Sequence, residues 1–333
     1  MKGNSLKNQV TTGRFTLPVA ILLSTACWAV AGILLPELSA TRSLGEIADR
    51  LVPFVLPDWL GWAISFLLYI FTAYLLIALN NAFGLIRIRA SVQSAIFLLL
   101  IGICPGLHLF YTGSIVPVPL LLSLYFLFRS YQDHKASGNL FYSFCFLGIS
   151  TLLLPALMRC VPLWLLGTYN LQCLTLKSFF ASLTGWFFPY WLLLGHAFFY
   201  GEMKLFYWPF RQWTTFCPVR EILEISMAQW SILGYLLIIF IVSTCHTLVK
   251  GYQDKIRTRS YLYFLMLVIL CFYLLVLLQP IYLSELLPLL MALISILAAH
   301  FFVLSDSRGS NIFFIASVIG ICILFGYNIW VNL

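Results

Sequence analysis

The sequence predicts the all-α class: a polytopic transmembrane helical bundle of about eleven helices (range 9–12), with its N-terminus in the cytoplasm. Three observations lead there. First, 62% of the 333 residues are hydrophobic and 9% are charged, and mean hydropathy is +0.98. A soluble domain carries roughly 45–50% apolar and about 25% charged residues, so most of this surface cannot face water. Second, the apolar residues form near-continuous runs of roughly 17–22, which is helix length for a hydrocarbon core about 30 Å thick. Third, the charges fall in the breaks between these runs. Barrel strands would alternate apolar and polar with period two, and backbone in hydrocarbon must satisfy its own hydrogen bonds, so helices remain.

The first run, residues 15–35, follows Lys2, Lys7 and Arg14. Ala29-Val30-Ala31 resembles a signal-peptidase site, and a cleaved signal is the competing reading. The run is long enough to span, so it is read as an uncleaved first helix. Further spans are read at 59–79, 94–112, 115–129, 140–158, 161–176, 178–199, 227–248, 260–279, 284–304 and 311–331. The pairs 94–129 and 161–199 have very short connections, which points to tilted, broken or re-entrant helices.

Orientation follows from the loops. An internal N-terminus puts thirteen bases inside, among them Lys7, Arg87, Arg89, Arg129, Lys135, Lys250, Arg257 and Arg308. It leaves six outside: Arg42, Arg50, Arg159, Lys204, Arg211 and Arg220. The positive-inside rule favours that arrangement and places the C-terminus outside. The net charge of +8 is then a topology signal and a contact to anionic membrane lipids, with no nucleic-acid partner implied. Trp59, Trp62, Trp164, Trp208, Trp213, Trp230 and Trp330 fall near the outer boundary, the level that tryptophan prefers.

Two outer segments are read as amphipathic and interfacial, 37–58 and 200–226. Ser43-Leu44-Gly45-Glu46 in the first has the pattern of a capping box. The second mixes Phe206, Tyr207, Trp208, Phe210 and Trp213 with charged residues. Arg87-Ile88-Arg89 and Arg257-Thr258-Arg259 open similar successions of span, Pro-containing hairpin and span. They suggest a parallel internal repeat of units 80–158 and 250–331, a device common in transporters. Apolar sequence of low information also produces such likeness by chance.

Leu79-Asn80-Asn81, Gly138 through Phe144, Gly148 through Pro155, and Phe179 through Trp186 leading into Pro189-Tyr190-Trp191 carry a family resemblance. They resemble a family of bacterial (Bacteroidota-type) multi-pass inner-membrane proteins of unknown function, over roughly residues 75–205. The resemblance implies a location in the bacterial inner membrane, and it brings no functional residues with it.

No dinucleotide, Walker, zincin or nucleophile-elbow motif is present, and no cofactor is implied. The nine cysteines form no CxxC pair and read as small buried hydrophobes, with no metal site. All eleven acids sit at or beyond span boundaries in this reading, which argues against a proton-coupled carrier. His108, His196, His246 and His300 lie within or near the ends of spans; each is a candidate ligand or proton relay, and more simply a packed histidine. Arg159, in a very short outer loop, can fork onto a lipid phosphate or snorkel. Glu37, Asp49 and Asp58, with Arg211, stand where membrane glycosyltransferases that use lipid-phosphate donors place a general base and a phosphate contact, an analogy of architecture alone.

The function expected is therefore handling of a lipid-linked substrate, glycan or lipid-phosphate, in envelope biogenesis. The alternative is a non-enzymatic transporter of an uncharged solute, or a membrane subunit or scaffold that binds other membrane subunits. Whether the chain is an enzyme stays open. The orientation has a direct test: alkaline phosphatase fused after Lys135 or Arg308 should be inactive, and fused after Gly201 active. The opposite pattern overturns it.

Overall fold

The computed structural model describes Lys7, Val10, Thr11 and Gly13, and residues 15–35, 57–86, 91–214, 225–305 and 307–333. Among these residues twelve α-helices of at least ten residues follow one another, with no strand. They are α1 (Thr16–Leu34), α2 (Asp58–Phe83), α3 (Val92–Gly102), α4 (Pro117–Arg129) and α5 (Ser137–Leu153). Then come α6 (Val161–Asn170), α7 (Leu176–Phe199), α8 (Met203–Thr214), α9 (Met227–Lys250), α10 (Ile256–Leu278), α11 (Leu283–Leu304) and α12 (Arg308–Asn332). Seven helical stretches among them are long and apolar enough to cross a membrane. The chain is a helical, membrane-embedded protein.

Two expected spans are broken. The run 94–112 stops being α-helical at Gly102, because Pro105 lacks an N–H and its ring cannot follow a helical turn. What remains is α3, eleven residues or about 16 Å at 1.5 Å per residue. The run 161–176 ends as α6 at Asn170, ten residues, and Gln172 turns left-handed at φ 55. A six-residue 3-10 segment, Pro155–Cys160, leads into it. Within the segment expected at 200–226, Met203–Thr214 forms α8, which presses Leu205 onto Leu193 and leaves Tyr207 and Trp213 exposed; residues 215–224 lie outside the described residues. Residues 36–56, with the capping box expected there, lie outside the described residues.

A break inside an apolar bundle frees carbonyls that water cannot reach. At the break after α3, four of them meet side chains. The Ile101 carbonyl accepts from the Cys104 amide at 3.1 Å and lies 3.3 Å from His108 Nε2. A carbonyl can only accept, so that ring nitrogen carries the proton. Asn328 Nδ2 of α12 donates to the Ile103 carbonyl at 2.9 Å. The Tyr69 hydroxyl serves Leu107 at 3.0 Å, and Ser65 Oγ serves Leu109 at 2.9 Å. Four side chains, from the break itself, α2 and α12, thus hold one break in place.

The bundle is built around α11. Every residue from Leu286 to Phe302 is buried, and α2, α3, α4, α9 and α10 pack on it. By contrast α1 and α12 are peripheral, with exposed Val19, Leu22, Ile319 and Ile323. Trp164, expected at the membrane boundary, is instead fully buried and donates from Nε1 to Ser123 Oγ at 2.8 Å. Cys245 and Cys322 are exposed on the bundle surface rather than buried. The two ends of the bundle carry different groups. On the Lys7 face, Lys7 Nζ donates to Ser310 Oγ at 3.2 Å. On the His108 face, Trp28 of α1 stacks on His108, centroids 4.1 Å apart.

The tightest helix pair is α5 with α7, where glycine lets backbones meet. A Cβ on Gly185 would lie 2.4 Å from the Phe141 carbonyl oxygen, and one on Gly148 would lie 2.6 Å from that of Trp186. Backbone cannot yield as a side chain can. Gly185→Val should lower stability by about 1–3 kcal/mol, read as a fall in melting temperature in detergent. Gly195→Ala, which meets nothing within 4 Å, should leave it unchanged or raised.

Candidate functional site

The densest set of buried polar side chains lies on the Lys7 face, at the ends of α9, α11 and α12. The helical period of α9 puts Ser243 and Thr247 inside and half-buries His246 beside them. A 3-10 turn, Gly251–Gln253, then folds the chain back, closed by the Asp254 amide on the Gly251 carbonyl at 2.9 Å. That turn carries Asp254 under the bundle. Its Oδ2 stands 3.3 Å from His300 Nε2 of α11, and both side chains are 2% exposed. The His246 ring is 6.4 Å from that of His300 and 5.0 Å from that of Phe301. Ser305 and Ser310 hydroxyls touch, and Lys7, 1% exposed, reaches Ser310 from the start of the chain.

Several of these atoms are buried without a hydrogen-bond partner. They are both ring nitrogens of His246, Nδ1 of His300, Ser243 Oγ, Thr244 Oγ1 and Asn311 Oδ1. Buried polar atoms are satisfied in all but a few cases, so such a concentration asks for an explanation. The sequence puts Asp254 at or beyond a span boundary and offers His246 and His300 singly; that the three come together is seen only in the fold.

Beside the cluster, an apolar cavity of about 620 Å³ opens between α1 and α12. Val19 and Leu23 wall one side and Ile319 the other, over a floor of Ala95, Ile239 and Ala298. Its polar residues turn inward to backbone. Tyr235 donates to the Ser317 carbonyl at 2.8 Å, Ser317 to Phe313 at 2.8 Å, and Thr16 to Gly13 at 3.0 Å. The cleft therefore presents hydrocarbon. Val10, Phe302 and Phe314 also line it, and each lies within one helical turn of Lys7, Ser305 or Ser310. The polar cluster therefore lies within a turn of the cleft lining along the chain, and none of its unpartnered atoms belongs to a lining residue.

The residues expected from sequence fall elsewhere and apart. Glu37 and Asp49 lie outside the described residues. Asp58, exposed, opens α2 and lines a cavity of about 250 Å³ with His108. Arg159 joins a different group: its Nη1 donates to Gln279 Oε1 at 2.5 Å and its Nη2 to the Trp213 carbonyl at 2.8 Å. It thereby ties the 3-10 segment to α8 and α10. Tyr282 donates to Gln212 at 3.2 Å, and Gln229 to Ser284 at 3.1 Å, around the same end of α11. Arg211 is exposed in the last turn of α8. His196 sits near the end of α7, its ring 4.6 Å from that of Tyr200.

Among the described residues no group of three or more His, Cys, Asp or Glu could hold a metal ion. Comparisons with protein families, with curated proteins and with solved structures give no match. The Asp254–His300 contact has a test in a double-mutant cycle of Asp254→Asn and His300→Gln. Unfolding in detergent should give a coupling of about 0.5–3 kcal/mol; additive losses would show that the pair does not interact.

Proposed function

We propose that this protein takes up an amphiphile sideways from the bilayer. The apolar tail lies in the α1–α12 cleft and the polar head rests against His246 and His300. One juxtaposition carries the reading: the lining of an apolar cleft of about 620 Å³ and a set of buried, unpartnered polar atoms lie within a helical turn of each other along α9, α11 and α12. The size falls within the roughly 300–1,000 Å³ of ligand pockets. Lipid is as apolar as the cleft, so moving a tail into it yields little net driving force. The head group must supply the preference. Each buried donor or acceptor left unmade costs about 1–3 kcal/mol, and a head bearing hydroxyl or phosphate oxygens would satisfy several at once.

The reading keeps the substrate class expected from sequence, a lipid-linked phosphate or glycan, and moves it to the other end of the bundle. With the N-terminus inside a bacterial inner membrane, the Lys7 face is cytoplasmic and the head comes from the inner leaflet. Lys7 adds a positive charge beside Ser310, favourable to an acidic head. Asp254 orients His300 from the other side.

Native mass spectrometry of the maltoside-purified chain tests the reading. The wild type should retain an amphiphile in stoichiometric amount. Val19→Trp with Ile319→Trp, both at exposed walls of the cleft, should lose it while the melting temperature holds. His246→Leu should weaken retention about tenfold, the equivalent of 1.4 kcal/mol. An empty wild type, or equal retention by the double-tryptophan chain, overturns it.

A further inference from the structure

The cavity on the His108 face is chemically unlike the cleft. We propose that it binds a small organic ammonium group, as carried by choline or ethanolamine, free or as a lipid head. It lies at the opposite end of the bundle and does not depend on the cleft reading. The indoles of Trp59 and Trp62 form walls, His108 and Pro105 come from the break after α3, and Gly32 from α1. Asp58 is the one acidic side chain among the described residues that line it. The volume of about 250 Å³ is below the roughly 300 Å³ where drug-sized pockets begin, which suits a head group.

The Trp62 and His108 walls are held in place before any ligand arrives. A Cβ on Gly32 would sit 2.5 Å from the Trp62 ring, so this glycine is what lets the indole lie against α1. Trp28 stacks on His108 at 4.1 Å and 19°. Trp28 also meets Trp62 at 5.3 Å and Phe66 at 5.0 Å, and Trp62 stands edge-on to His108 at 6.1 Å. Such preorganisation lowers the entropy lost on binding.

The charge pattern selects a cation. Aromatic faces carry the negative lobe of the ring quadrupole, and an ammonium over tryptophan gains the strongest cation–π attraction. The N-terminus of α2 carries a partial positive charge of about half a unit, and the full negative charge of Asp58 outweighs it. Because Nε2 of His108 gives its proton to the Ile101 carbonyl, the imidazole has no donor left for an anion. Its Nδ1 is buried without a partner.

The test titrates the chain in phosphatidylglycerol nanodiscs with choline and with its uncharged isostere 3,3-dimethyl-1-butanol, by calorimetry. Choline should bind saturably and the isostere about tenfold or more weakly. Asp58→Asn and Trp59→Ala change exposed residues, so the melting temperature should hold while choline affinity falls about threefold to thirtyfold. The double-tryptophan cleft variant should bind choline as the wild type does. In phosphatidylcholine nanodiscs, loss of choline binding identifies the lipid head as the occupant, and unchanged binding identifies the free cation. No saturable choline binding in phosphatidylglycerol, equal binding of the isostere, or unchanged affinity in both site variants overturns the proposal.

Discussion

Carbonyls freed inside an apolar bundle have no water to turn to, and the rest of this structure is arranged around that constraint. Pro105 forces a break between α3 and α4, and four side chains close it. His108, Asn328, Tyr69 and Ser65 come from the break itself, α12 and α2. None of these bonds is strong alone, since a neutral hydrogen bond contributes about 1 kcal/mol net. Their value lies in the alternative, an unsatisfied carbonyl in hydrocarbon. The same requirement pins α12, otherwise a peripheral helix, to the centre of the protein through Asn328.

Pinning at one end explains why α12 can stand away from α1 elsewhere. Its other anchor is at the Lys7 face, where Ser310 meets Lys7 and Ser305. Between the two anchors the helices diverge over the floor of α3, α9 and α11, and the cleft is the space left. Polar anchors at both ends of an apolar gap give a lateral opening without a loss of backbone bonding. They also put the buried polar cluster within a turn of the place where a tail would lie.

The helix α11 has a similar division. Its middle is buried and apolar but for Ser295, whose hydroxyl donates to the Ala292 carbonyl at 2.7 Å, while its ends carry distinct polar groups. At one end His300 faces Asp254; at the other, Ser284 accepts from Gln229 and Tyr111. Arg159, Gln279 and Trp213 close the ring of contacts on that side. Stability thus comes from packing in the middle and from hydrogen bonds at the rims, where donors and acceptors are close enough to water to be tolerated.

Helix type and most edges were legible from the sequence, because a run of some twenty apolar residues has one way to satisfy its backbone in lipid; of the eleven spans expected, seven helical stretches among the described residues are long and apolar enough to cross. The starts of α1, α9 and α11 stand within one residue of where hydropathy puts them. The breaks were legible only as prolines and short connections. Where α3 stops depends on which side chains can reach its carbonyls, and those lie up to 225 residues away along the chain. The functional residues were less legible still. Asp254 reads as a loop acid until the 3-10 turn carries it under α11, and Trp164 reads as a boundary residue until α6 packs it against Ser123. Residue type and spacing decide which segments leave water. Which polar atoms then meet, and which are left facing a cavity, is decided by helices brought together from distant parts of the chain.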